Sequence, residues 1–147
     1  MTATGHAIIG TVIAAKIGNP ALAIPIAVAS HIAADYFPHW DSATNAAKKG
    51  TKRVFRESIV DVLLGFIVSY ILISFLFPGT NLLYAFIIVI AAQSLDWLMA
   101  LYYFFGIKQF KWAYKIGKAT NIELKEPWGI INQIAVLILL VIFAKLF

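Results

Sequence analysis

All three histidines and four of the seven acidic residues belong to one set that could hold a divalent cation: His6, His31, Asp35, His39, Asp41, Asp61 and Asp96. His31 and Asp35 lie four residues apart, so on a helix they share a face. His39 and Asp41 follow in the string Pro38-His39-Trp40-Asp41. Imidazole with carboxylate suits Zn²⁺, Mn²⁺ or a related ion, and the absence of cysteine excludes thiolate sites, disulfides and cysteine nucleophiles. The expected core ligands are His6, His31, Asp35, Asp61 and Asp96, enough for one ion or two. His39 and Asp41 are expected either as further ligands or as an acid/base pair, one protonating a leaving oxygen while the other orients water. Each residue alone also has a structural reading. His31 and Asp35 could be a closed polar pair, and Asp96 a helix–helix hydrogen-bonding group.

These groups need elements to carry them, and composition says which. Of 147 residues, 61% are hydrophobic and 13% charged, against roughly 45–50% and 25% in soluble domains. The expectation is a single all-α transmembrane domain over residues 1–147, with no polar stretch long enough to fold as a separate catalytic domain. Five apolar segments stand out, at about 3–17, 20–37, 57–77, 81–106 and 128–146. The last three are long enough to cross a hydrocarbon core of about 30 Å. The first two are short and are expected to form a hairpin that crosses a thinned region or dips in from one side. Gly18-Asn19-Pro20 reads as the turn between them, with Asn19 capping the next helix and Pro20 in its first position. The N-terminus lacks the basic region of a signal peptide.

Lys48, Lys49, Lys52, Arg53 and Arg56 fall in the 38–56 connection, and Lys108, Lys111, Lys115, Lys118 and Lys125 in the 107–127 connection. By the positive-inside rule both face the cytoplasm, so a five-span protein of the inner membrane would have its N-terminus inside. The stripe Lys108, Lys111, Lys115, Lys118, interleaved with Phe110, Trp112 and Tyr114, reads either as an interfacial helix on anionic lipid or as topology alone. The net charge of +5 therefore points to the bilayer, and no nucleic-acid partner is expected.

Ionisable groups inside a membrane helix cost about 2.5–3.5 kcal/mol each on insertion scales, so a partner or a function must hold them. The antiparallel register of the first two segments puts His6 level with His31. Asp35, His39 and Asp41 lie slightly nearer the cytoplasm. Asp61 is expected one turn inside the third helix, and Asp96 roughly 15 Å in from its cytoplasmic end. Small residues at four-residue spacing continue these positions: Gly10 and Ala14 after His6, Ala27 before His31, Gly65 after Asp61, Ala92 and Ala100 around Asp96. Such ridges let helices approach closely, on the faces that carry the ionisable groups.

The string Ser30-His31-Ile32-Ala33-Ala34-Asp35-Tyr36-Phe37-Pro38-His39-Trp40-Asp41, preceded by Thr4-Gly5-His6 and Gly10, resembles the YdjM-like family of membrane-bound metal-dependent hydrolases, distantly related to zinc-dependent phospholipase C and the P1-type nucleases. The likeness covers about the first 41 residues and extends to Asp61 and Asp96, where family members often carry a further histidine and a second His-xxx-Asp. It implies a helical fold, a divalent metal and phosphoester hydrolysis. A site near the cytoplasmic headgroups, flanked by Tyr36, Phe37, Trp40 and basic segments, makes a phospholipid the expected substrate class. The alternatives are a structural or metal-binding membrane protein without catalysis, and a small ion- or proton-coupled transporter. The outer half of the spans offers little beyond Ser69 and Ser74 to line a transport path.

Overall fold

The computed structural model describes residues 1–147 as seven α-helices with no strand. They are α1 (Ala3–Lys16), α2 (Pro20–Asp35), α3 (Ala46–Lys49), α4 (Thr51–Phe75), α5 (Leu82–Phe105), α6 (Lys111–Thr120) and α7 (Trp128–Leu146), with a 3-10 turn at Lys108–Phe110 before α6. Three of them, α4, α5 and α7, are long and apolar enough to cross a membrane, which marks the chain as a membrane protein. The two segments expected as a short hairpin are the shorter helices α1 and α2. At 14 and 16 residues, α1 and α2 are about 21 and 24 Å long at 1.5 Å per residue, short of a bilayer core.

The reason lies in how α1 is enclosed. It packs against α2, α4, α5 and α7 and buries Ala3, Gly5, His6, Ala7, Gly10, Thr11, Val12 and Ala14. A helix surrounded by protein has no lipid thickness to match. The close approach depends on two glycines. A Cβ on Gly10 would stand 2.9 Å from Ala92 Cβ and 3.1 Å from Val89 Cα. One on Gly65 would stand 3.0 Å from Ala7 Cβ and 2.8 Å from Gln93 Nε2. The small-residue ridges thus form the contacts of α1 with α5 and α4. Outward faces stay apolar, with Leu63, Ile67, Leu83, Ile87, Ile138 and Leu139 exposed, as a lipid-facing surface requires.

The turn after α1 forms as its residues dictate: the Asn19 side chain accepts from Ala21 N at 2.9 Å, and Pro20 opens α2. The start of the third apolar segment is different. Gly50, at φ +76°, breaks the chain, and from Thr51 nothing interrupts the helix, so α4 begins six residues before the expected 57. Lys52, Arg53 and Arg56 lie on its first turns instead of in a connection. Asp61 is then about 15 Å along α4 rather than one turn inside it. At the other end of the chain, α6 buries Ala113, Gly117 and Thr120 and packs against α5, leaving Trp112 half exposed and Lys111 and Lys115 outward.

Candidate metal centre

The N-terminal end of α1, the C-terminal end of α2 and the middle of α5 meet at one level. His6 and His31 are both buried there, and their rings stack at 3.6 Å between centroids, tilted by 9°. Asp35 bridges the edges of both rings, with Oδ1 3.2 Å from His6 Nε2 and Oδ2 3.5 Å from His31 Nε2. Asp96 reaches in from α5, its Oδ1 3.6 Å from His31 Nε2. The Met1 ammonium also contacts Asp35 Oδ1. His6, His31 and Asp96 each offer a ligand atom, all within 4.8 Å of one another.

Hydrogen bonding fixes how His31 presents itself. Its Nδ1 lies 2.7 Å from the Ala92 carbonyl oxygen, which can only accept. The ring proton is therefore on Nδ1, and in the neutral ring Nε2 keeps a lone pair aimed at two carboxylates. That nitrogen, and both ring nitrogens of His6, are buried without a hydrogen-bond partner. Unpaired buried polar atoms cost about 1–3 kcal/mol each. Two imidazoles and the Asp96 carboxylate, with ligand atoms within 4.8 Å of one another, fit a divalent cation, which would satisfy His31 Nε2 and one nitrogen of His6. The residues that would hold it are His6, His31 and Asp96, with Asp35 alongside.

Asp61 is engaged elsewhere. Its Oδ2 accepts from Ala3 N at 2.6 Å, and its Oδ1 accepts from Thr4 N at 3.1 Å and Thr4 Oγ1 at 2.7 Å. It caps the start of α1, where the unpaired amides and the helix dipole favour negative charge. His39 and Asp41 form a separate pair. His39 Nδ1 lies 2.6 Å from Phe37 O, and Nε2 is 3.8 Å from Asp41 Oδ2. Asp41 Oδ1 accepts from Thr44 N at 2.6 Å and Thr44 Oγ1 at 3.0 Å; Oδ2 accepts from Asn121 Nδ2 at 3.0 Å. Burial opposes ionisation of Asp41. The Met1 ammonium and the bonds from Thr44 and Asn121 work against it and draw the carboxyl below its usual range. Asp41 can thus orient a water as an ionised acceptor, but it is not a proton donor at neutral pH.

A cavity of about 310 Å³ adjoins both groups. Asp41, Asp61, Asp96, Lys118 and Asn121 line it, among apolar walls from Val54, Trp97, Met99 and Phe104. An outer groove lined by Trp40, Arg53 and Arg56 shares Ser42 and Asp61 with this cavity. Asn121, Thr44 and the carbonyls of Ala92 and Phe37 were not among the expected site residues. Asn121 lies far from Asp41 in the chain, and no spacing links the two. It arrives because the segment after α6 pairs with the one after α2: His39 N donates to Ile122 O at 3.1 Å and Leu124 N to His39 O at 2.7 Å.

No family model, curated protein or solved structure matched the chain when its sequence and fold were compared with known proteins.

Proposed function

We propose that this protein is a membrane-embedded, divalent-metal-dependent hydrolase acting on a phosphoester, with a phospholipid headgroup as substrate class. The observation that carries the reading is the double position of Asp96. Its carboxylate belongs to the histidine cluster and also to the cavity wall, whereas a purely structural metal site is closed on all sides by protein. When bound, a divalent cation supplies positive charge that acidifies water and offsets the charge of phosphoryl oxygens.

The chain's own residues supply the rest. The Ala92 carbonyl holds the His31 ring so that Nε2 stays available, and Asp35 adds negative charge at the Nε2 edges of both rings. Asp41 faces the cavity as an acceptor that can orient a water, and Lys118 on the same wall offers charge to a phosphate. Hydrolysis joins the water oxygen to phosphorus and breaks the ester P–O bond; one water proton goes to the leaving oxygen and the other to solvent. Arg53 and Arg56 on the adjoining groove suit an anionic headgroup. This end of the molecule also carries Lys48, Lys49 and the α6 lysines, so the positive-inside rule makes it the cytoplasmic face of a cell membrane. The resemblance of Ser30–Asp41 to YdjM-like hydrolases points to the same chemistry.

The test is turnover by the purified protein in detergent, stripped with chelator and resupplied with Zn²⁺ or Mn²⁺. Substrates are a chromogenic phosphodiester and vesicles of phosphatidylglycerol. Metal-dependent turnover that is lost in His31→Ala and Asp96→Ala is expected. Tight metal binding with no turnover of either substrate would instead make the centre structural.

A further inference from the structure

The arrangement around His31 occurs a second time. His39 is fully buried, and its Nδ1 lies 2.6 Å from the Phe37 carbonyl oxygen, which can only accept. The ring proton is therefore on Nδ1, as in His31, and the neutral ring turns the lone pair of Nε2 toward Asp41 Oδ2, 3.8 Å away. An imidazole lone pair and a carboxylate are both acceptors. Facing each other in a buried space they repel, unless a positive group stands between them. The separation is too long for a direct hydrogen bond. It does match two ligands on one cation, which at bond lengths of about 2.0–2.2 Å stand roughly 3–4 Å apart.

Two further observations point to the same place. His39 Nε2 has no hydrogen-bond partner, and neither does Asn121 Oδ1, a buried oxygen on the amide whose nitrogen donates to Asp41. Asp41 and Asn121 also line the cavity that Asp96 lines. The other carboxylates of this wall are accounted for: Asp61 caps α1, and Asp96 faces His31.

We infer that His39 Nε2, Asp41 Oδ2 and Asn121 Oδ1 form a second divalent-cation position, on the cavity that Asp96 of the first also lines. One nitrogen with two oxygens is a mixed donor set suited to Zn²⁺ or Mn²⁺ and poorly suited to copper(I). The segment after α6 completes the position by bringing Asn121 to Asp41, and its backbone pairing with His39 keeps the ring in place. A cation at each position would offset the charge of phosphoryl oxygens held in the shared cavity. That use rests on the hydrolase reading above; the cation position itself does not.

Equilibrium dialysis of chelator-stripped protein in detergent against Zn²⁺, and separately Mn²⁺, followed by elemental analysis, counts ions per chain. The expected result is two per chain for the natural sequence and one each for His39→Ala, Asp41→Asn and His31→Ala. Asp41→Asn keeps an acceptor for Thr44 and nearly the same volume, so it guards against loss of fold in His39→Ala. Two results would overturn the second position. In one, a single ion binds, survives both His39→Ala and Asp41→Asn, and disappears in His31→Ala; the hydrolase reading then stands with one cation. In the other, two ions bind and remain in both variants, so the second lies elsewhere. Absence of any bound ion would overturn both positions.

Discussion

Asp61 separates a ligand from a helix cap, and the difference can be measured. Its two carboxylate oxygens take three hydrogen bonds from the first turn of α1, from Ala3 N, Thr4 N and Thr4 Oγ1. Hydrogen bonds to a charged group contribute about 1.5–3 kcal/mol each, and do not add fully. Loss of a helix cap alone costs about 0.5–2 kcal/mol. Asp61→Ala removes all three bonds and leaves the Ala3 and Thr4 amides, at the start of the central helix, without an acceptor. A loss of about 3 kcal/mol is expected, and about 1 kcal/mol for Asp61→Asn, which keeps one acceptor oxygen. For a chain of this size that is a fall in melting temperature of roughly 6–12 °C for Ala and 2–4 °C for Asn. The assay is thermal unfolding in detergent, paired with ion content of the folded protein. Both variants should hold as many divalent ions as the natural sequence. An Asp61→Ala protein that melts normally and has lost an ion would refute the cap assignment and restore Asp61 as a ligand.

Other residues give sharper contrasts. Gly10→Val would place a Cβ 2.9 Å from Ala92 and 3.1 Å from the Val89 backbone, forcing α1 and α5 apart at a cost of about 1–3 kcal/mol; an unchanged melting temperature would contradict the packing. Gly129→Ala would bring a Cβ within 2.1 Å of Leu124 O and 2.7 Å of Trp40 N. It should loosen the pairing of Leu124 with His39, seen as faster proteolysis of the α6–α7 connection, and equal proteolysis would argue against that pairing. Arg53→Ala removes an ion pair with Glu57 in which the arginine side chain is 62% exposed; less than about 0.5 kcal/mol should be lost, and a larger fall in a urea titration would show that the pair is not a solvent-screened one.

Which parts were legible follows from how far each depends on local geometry. The pairing of His31 with Asp35 follows from helix periodicity alone. The level of His6 against His31 follows from a short hairpin whose turn residues are unambiguous, and the two rings stack. Asp96 comes into range because Gly10 and Ala92 let α1 and α5 touch, a contact the small-residue ridges announce. Asp61 was harder. A carboxylate at a helix N-terminus and one on a metal look alike in a sequence, and only the amides of Ala3 and Thr4 separate them. The start of α4 is hidden from a hydropathy window, which stops at polar residues, whereas the helix runs back through them to Gly50. Of the five apolar segments, three form helices of spanning length, and apolar composition alone does not tell a helix buried in protein, such as α1, from one facing lipid. Asn121 gave no signal, since it meets Asp41 only through the fold.

Anomalous diffraction from crystals soaked in Zn²⁺, recorded at the zinc edge, tests the cation centre most directly. A peak is expected among His6, His31 and Asp96, about 2.0–2.2 Å from at least one nitrogen of each ring and one oxygen of Asp96. A map with no peak there, and the two rings still stacked against Asp35 at saturating zinc, would contradict it.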